Sequence, residues 1–444
     1  MKTSTSLFTL SDGALPASFE GLKSRVAVEW IQEALERGGT GKLRNRKMTV
    51  EDIMWLVIGI SLYRNRPMVD VAHDLGLVMP DKKGRPGRLS KGAIPQARKS
   101  LGVDPVRALF LTTANHWAKE SGERYRWRGL MLLGADGTTL RIPDSAENRS
   151  EFGLPAASRS TAGYPQVRVA VLMVLRSHQW LAFDFADIGT GEGTVAWPLI
   201  QQVPERSLTI LDRYYIDHAQ LWGLTQRGDD RHWLLRARKN LRWNVIRRLG
   251  RGDDLVEMPI DRSRRRRDPS LPEKFLARVI RYRRKGFRSQ TLLTSLLDPQ
   301  AYPAKEIIGL YHERWELELG YDELKTNVLE REEAIRSETP EGIRQELWGM
   351  AIAYNLVRRE MDLMARELNL PPRQISFVAC LRLIRDFFHW AAITQTPGGL
   401  PKRMVQMRVD LRRFILPPRK GHRAYPRHVK IKMSGYARNH GHPK

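Results

Sequence analysis

The sequence predicts an α/β protein: a mixed-sheet core, interrupted by an all-β insertion and preceded by a helical N-terminal region. Three observations carry this. Apolar residues recur at helical spacing through the first hundred or so residues. From Tyr125 onward, short β-forming runs alternate with helical segments. Between Arg238 and Asp298 four β-forming runs follow one another with no long helix among them. A chain of 444 residues exceeds one simple core, so two to four domains are expected. Composition divides it into a helical part (1–122), a first core part (123–237), the insertion (238–298), a second core part with C-terminal helices (299–398) and a basic tail (399–444).

In the helical part, Phe19 to Leu35 and Val50 to Tyr63 carry the apolar period, and Pro67 begins a short helix. Gly84 to Arg88 breaks the pattern, and another short helix is expected between Lys91 and Ser100, limited by Pro95. Asp104 is the expected N-cap of the next helix, with Pro105 at its first position and an end near Lys119. This region is a candidate DNA-binding domain, although a helical packing domain without special function fits nearly as well.

Leu130 to Ala135 is an apolar strand that stops at Asp136, and Thr138–Ile142, Val167–Arg176 and Trp180–Ala186 read as further strands. A helix over Thr194–Gln202 leads to the strand Ser207–Leu211, which ends at Asp212. A helix from Ile216 to Arg227 and a strand from His232 to Ala237 follow. The insertion strands are Asn244–Leu249, Leu255–Ile260, Phe275–Arg283 and Thr291–Leu297, joined by polar turns. Three helices are then predicted, from Ala304 to Leu329, Thr339 to Arg366 and Pro372 to Phe388.

Charge narrows the function. The chain holds 75 Lys and Arg against 49 Asp and Glu, a net of +26, which attracts polyanions. RNA, DNA and anionic membrane all satisfy charge alone. Residues 261–289 hold twelve basic and three acidic residues, a density that favours phosphate contacts over a solvated surface run. Arg264, Arg265, Arg266, Arg267, Arg283, Arg284 and Lys285 form one candidate DNA-contact patch. Arg412, Arg413, Arg427 and Lys430 form another, in a tail expected to lie extended along a partner. Cys380 is the only cysteine, which excludes an intramolecular disulfide and reads as intracellular, and its apolar neighbours suggest burial. No apolar stretch approaches the roughly 20 residues that span a bilayer, so no membrane partner is expected. The first residues make a poor signal peptide.

Carboxylates at strand ends leave the buried sheet where ligand groups collect, which makes Asp136 and Asp212 candidate site residues. A turn residue or helix cap explains either one alone equally well. The sharper signal is Tyr311, Arg314, Glu318 and Lys325. At about 100° per residue they fall within roughly 60° of one another on one helix face. A solvated face of ion pairs explains the stripe too. A phosphate chemistry explains each member.

Tyr311-x2-Arg314-x3-Glu318-x6-Lys325 resembles the signature of the IS4 family of bacterial insertion-sequence transposases in residue types and spacing. Asp136-Gly137-Thr138 and Leu211-Asp212-Arg213-Tyr214-Tyr215 resemble the family's two aspartate motifs, with Tyr214 standing where Gly is frequent. Arg44 to Lys47 and Trp55 to Gly59 resemble its N-terminal domain. The resemblance spans nearly the full length. It implies an RNase H-like core and a DDE-type DNA transposase, with Asp136, Asp212 and Glu318 catalytic and holding two Mg²⁺ or Mn²⁺ ions. It assigns Tyr311, Arg314, Lys325 and Arg213 to DNA phosphates, and it implies cut-and-paste movement through a hairpin. The implied partners are double-stranded DNA with terminal inverted repeats, target DNA, and a second copy of the chain in a synaptic homodimer, in the bacterial cytoplasm at the nucleoid. Trp315 and Trp243 are candidate base-stacking groups, with a core position the simpler reading of each. A metal-dependent nuclease on the same core, or a non-catalytic basic DNA-binding protein, are the alternative functions.

Overall fold

A computed structural model describes residues 26–39, 48–79, 87–90, 92–155, 163–284, 288–330, 335–393 and 400–418. Arg44 to Lys47, Lys285, Arg427 and Lys430 lie outside the described residues.

The helical region comprises α1 (Val28–Arg37), α2 (Val50–Leu62), α3 (Met68–Asp74), α4 (Ala93–Leu101) and α5 (Asp104–Arg124). Thr49 and Asp52 form a reciprocal capping box at the start of α2, satisfying two otherwise orphan backbone donors. Pro95 falls in the first turn of α4, where its missing N–H costs nothing. Asp104 is not the N-cap of α5 as expected. It is the first helical residue, Val103 precedes it without a side-chain cap, and the helix continues to Arg124.

The core follows as β1 (Met131–Arg141), α6 (Ala146–Phe152), β2 (Gln166–Val174), β3 (Trp180–Asp187), α7 (Glu192–Ile200), β4 (Ser207–Leu211), α8 (His218–Gln226) and β5 (Arg231–Arg236). The insertion is β6 (Asn244–Gly250), β7 (Asp253–Pro259), α9 (Arg262–Arg267), β8 (Lys274–Tyr282) and β9 (Gln290–Thr294). The arginine run is thus a short exposed helix where a polar turn was expected. All nine strands join one sheet in the order β3-β2-β1-β4-β5-β9-β8-β7-β6. Strands β1, β4 and β5 are parallel, the β2 and β3 pairings are antiparallel, and β9 pairs antiparallel with β5. The insertion therefore extends the core sheet through β9.

Two apolar layers sandwich this sheet. Alternation along β1 sends Leu132 and Leu140 into a core shared with α5 and the C-terminal helices, and Met131, Leu133 and Ala135 toward α7 and α8. The C-terminal part is α10 (Ala304–Tyr311), a tight turn over His312–Arg314, α11 (Trp315–Asp322), a π-helical turn over Glu323–Val328, α12 (Pro340–Glu367), α13 (Phe377–Ile393) and α14 (Leu400–Leu411). The tail does not begin extended as expected: α14 buries Met407 and Leu411, and Arg408 pairs with Glu360 and Glu367. Cys380 is fully buried, as its neighbours suggested.

Candidate active site

The positions of Asp136 and Asp212 follow from strand register. Ala135 of β1 lies opposite Leu211 of β4 on adjacent parallel strands, so Asp136 and Asp212 are the next residue on each. Asp212 stands at a strand end as expected, where its Oδ1 accepts from the Tyr214 N–H at 2.8 Å and turns the chain. Asp136 does not. The strands expected on either side of it are one eleven-residue strand, and Asp136 lies within it opposite Val171 of β2. It is accessible because its other neighbour, β4, has already ended.

The predicted helix from Ala304 to Leu329 is interrupted twice, by the tight turn before Trp315 and the π-helical turn after Asp322. Both departures re-aim the side chains that follow them. Arg314 still meets Glu318, at 2.9 Å, and Lys325 donates to the Thr138 hydroxyl two residues beyond Asp136. Tyr321 anchors the helix to the strand by donating to the Asp136 carbonyl at 2.6 Å. Tyr311 packs into the core with its ring buried.

Electrostatics unite these groups. Burial raises the Asp136 carboxyl to about 6, with Glu192 and Asp212 pushing the same way, against the Gly137 N–H and Arg314. Burial alone would lower the Arg314 pKa, but Tyr311, Glu318, Asp212 and Asp136 outweigh it and hold the guanidinium firmly charged. Burial lowers Lys325, and Asp136 opposes that. Asp136, Asp212, Arg314, Glu318 and Lys325 thus belong to one field.

All-oxygen donors suit hard divalent ions, and a half-buried carboxylate crowded by like charges is relieved by a cation. Among the described residues, however, no three acidic, His or Cys side chains are gathered closely enough to hold an ion by themselves. Glu318 is engaged by Arg314 in this conformation. The donor chemistry fits, with its third member turned toward Arg314.

Next to Asp212, a cleft of about 820 Å³ opens between α7, α8 and the turn after β4. Tyr214 lines it and is 52% exposed, together with Trp197, Gln201, Arg227 and Arg264. Arg213 is exposed on the same turn, and Arg238 holds that turn through the carbonyls of Arg213 and Tyr214, each at 3.0 Å. Trp315 is 36% exposed, which departs from a core position, whereas Trp243 packs half-buried against the second core layer.

The basic patch is thinner than its count. Arg278 is fully buried, paired with Asp253 at 2.6 Å, and Arg281 and Lys274 pair with Asp254 and Glu257. Arg264 pairs with Asp217, and Arg265 is partly covered. Arg266, Arg267, Arg283, Arg412 and Arg413 stand exposed, and Arg284 is half-buried.

Sequence reasoning missed Thr138, Glu192, Tyr215 and Tyr321. Two had a visible signal: Thr138 is two residues along the strand from Asp136, and Tyr321 is one helical turn from Glu318. Tyr215 stood inside the second aspartate motif without being given a role, and Glu192 had no signal.

Comparison with known proteins defines the class first. The Transposase DDE domain model matches residues 128–356, spanning the sheet and the signature helix. Together with the mixed sheet and its flanking helices, this makes the chain a DDE-type DNA transposase with an RNase H-like core, an enzyme that cleaves DNA and transfers strands. The Insertion element 4 transposase N-terminal model matches residues 16–111. Transposase InsG for insertion sequence element IS4, from Escherichia coli (strain K12), is 34% identical over 404 residues, 90% of each chain. Putative transposase InsZ from the same organism is 32% identical over 245 residues, 54% of this chain and 79% of that one. The chain belongs to the IS4 family of transposases. A piggyBac transposase synaptic complex with hairpin DNA is more remote, at 12% identity and TM-score 0.42 over 94% of this chain and 88% of that one. Domains of the DDE class work with divalent metal ions, and their substrate is DNA. Among the described residues no helix is long and apolar enough to cross a membrane.

Proposed function

We propose that this transposase cuts double-stranded DNA at terminal inverted repeats and joins the freed ends to target DNA, moving a segment by cut and paste through a hairpin. Asp136, Asp212 and Glu318 are the catalytic carboxylates and would hold two Mg²⁺ or Mn²⁺ ions. When bound, such ions stabilise the attacking and leaving oxygens of an in-line displacement. One observation supports this reading above the others: the β1–β4 register sets Asp136 beside Asp212, with Arg314, Glu318 and Lys325 in the same electrostatic field.

The chain's own groups grip and orient the DNA. Arg314 offers a planar fork to a non-bridging phosphate pair once Glu318 leaves it, and Lys325 adds a point charge beside Asp136. Tyr311 keeps that face of the helix packed beside Asp212 and Arg314. Arg213 and the exposed arginines at 266, 267, 283, 412 and 413 steer the duplex. Exposed Trp315 stacks an unpaired base at the hairpin more readily than Trp243, whose face is half covered. The helical region, residues 1–122, and the insertion, residues 238–298, hold the DNA ends, which are paired by a homodimer.

The test is incubation of the full chain with short duplexes carrying the inverted repeats, in Mg²⁺. Joined products and hairpins are expected, because both require transesterification. Hydrolysis alone would make the protein a nuclease. Asp136→Asn, Asp212→Asn and Glu318→Gln should each abolish nicking and joining while end binding persists. Binding lost in parallel with cutting counts against the ligand assignment.

A further inference from the structure

The parallel pairing that sets Asp136 beside Asp212 continues one strand further. Leu211 of β4 lies opposite Leu235 of β5, so Arg236 is the next residue beside Asp212. Alternation decides which way it points. Leu235 packs in the layer under α7 and α8, whereas Leu234 packs in the layer that holds Leu310, Tyr311 and Leu317. Arg236, two residues from Leu234, therefore leaves the sheet on the face of the signature helix. The row runs on into the insertion. Arg236 lies opposite Leu292 of β9, and Gln290, two residues nearer the carboxyl end of β5, lies opposite Tyr282 of β8. Arg236, Gln290 and Tyr282 thus share one face at the end of the sheet where Asp136 and Asp212 stand, and no acid is among those three. The Tyr282 hydroxyl donates to Gln290 Oε1 at 2.9 Å, and its ring meets His312 of the signature turn edge-on, centroids 6.1 Å apart.

Half-buried arginines of this chain are ordinarily matched. Arg176 meets Glu313, Arg314 meets Glu318, Arg344 meets Glu151 and Arg373 meets Glu316. Among the described residues the exceptions are Arg231, at the opposite end of β5, and Arg236 and Arg284 on this row. The Arg236 guanidinium makes neither an ion pair nor a hydrogen bond, and the Gln290 amide, held through its oxygen by Tyr282, has its nitrogen free. The ordinary reading is that Arg236 offsets the charge of Asp212 from one strand away. That reading leaves every donor of a planar fork unused, and the fork fits a phosphate. One strand spacing is about 4.8 Å, and one DNA strand carries a phosphate for about every 3.4 Å of axis. A strand held for cutting at Asp212 therefore brings its next phosphates within reach of Arg236.

We infer that Arg236 is a DNA-binding residue of the active site, meeting a phosphate one or two positions from the cut, with Gln290 the next donor along the strand's path to the insertion. This rests on the proposed role of Asp136 and Asp212 in cutting. The path leads from the carboxylates across β5, β9 and β8 to half-buried Arg284 and exposed Arg283 and Arg288. It gives the core and the insertion one continuous DNA-facing edge.

The experiment uses the full-length protein and short duplexes carrying the inverted repeats, each with one methylphosphonate replacing a phosphate near the cut. A methylphosphonate lacks the charge that a guanidinium pairs with. In metal-free binding titrations Arg236→Ala should bind the unmodified duplex about tenfold more weakly, the scale of one charged hydrogen bond. Its salt slope should fall by about one, and Arg236→Lys should keep the slope. In wild type, a methylphosphonate one or two positions from the cut should weaken binding by a similar factor, and at that position Arg236→Ala should add no further loss. Additive losses at every position, or an unchanged salt slope in folded Arg236→Ala, overturn the inference and leave Arg236 as a partner of Asp212. If Arg236→Ala does not fold, Arg236→Gln, which keeps the length of the side chain, carries the same test with the same outcomes. Asp136→Asn separates the two readings: nicking at the wild-type rate there overturns the proposed active site and this inference with it, whereas lost nicking with additive methylphosphonate effects overturns this inference alone.

Discussion

Replacing Asp136 by Asn removes one negative charge and little else, since the amide oxygen can still accept from the Gly137 N–H, now at 3.0 Å. The wild-type carboxyl is raised from 3.8 to about 6 by burial first and then by Glu192 and Asp212. The folded state therefore holds this proton more tightly than the unfolded chain does. The associated stability is fully present below pH 3.8 and is lost as pH rises through about 6, so at pH 8 the ionised group opposes folding. At 1.36 kcal/mol per pKa unit the difference is about 3 kcal/mol, which partial solvation of the side chain reduces to about 1–2 kcal/mol. Metal-free Asp136→Asn should accordingly melt several degrees above wild type at pH 8 and level with it near pH 4. Added Mg²⁺ should stabilise wild type by mass action and leave the variant unmoved. Calorimetry at both pH values, with and without Mg²⁺, measures all of this. A variant less stable than wild type at pH 8 would refute the reasoning, because Asp136 would then be a carboxylate that the fold uses for its own stability.

Three further substitutions probe the supports of the site. Lys325→Ala should weaken DNA binding and make its salt dependence shallower by about one phosphate contact; an unchanged slope in binding titrations against salt would place the lysine outside the DNA path. Burial alone would raise the Glu323 carboxyl, but Arg358 and His178 hold it at about 2, and the Tyr354 hydroxyl donates to it at 3.0 Å. Arg358→Ala strips that buried acid of its main partner and should cost about 3–5 kcal/mol in denaturant unfolding, with a smaller loss counting against a paired, water-excluded network. A Cβ on Gly349 of α12 would lie 2.7 Å from the Val57 carbonyl oxygen of α2, so Gly349→Ala should cost about 1–3 kcal/mol. No change in its melting temperature would show that the two helices can part freely.

Much of this molecule was legible in the sequence because it is written in local patterns. The strands at Ser207–Leu211 and His232–Arg236, the helix over Pro340–Glu367 and the burial of Cys380 follow from short-range apolar periodicity. The signature stripe was legible because its members lie within about four helical turns. Errors arose where a neighbour distant in sequence decides. Asp136 looked like a strand end because the apolar run stops there, yet pairing with β2 carries the strand through to Arg141. The π-helical turn at Glu323–Val328 leaves no mark in apolar spacing, and it coincides with the pairing of Glu323 with Arg358 of α12 and His178 after β2. The basic count of the insertion overstated its free charge, since Arg278 neutralises Asp253 inside the sheet layer.

By itself, then, the sequence determined the α/β class, the charge that draws the chain to polyanions, and the identity and spacing of the groups on the signature helix. Each depends only on residue chemistry and on the geometry of one element. Only the tertiary structure decided that Asp136 and Asp212 are neighbours, that Tyr321 donates to the Asp136 carbonyl, and that Lys325 reaches Thr138. Those relations are set by strand register and by which sheet face each helix covers, and side chains more than fifty residues apart come into hydrogen-bond range only once the sheet has closed.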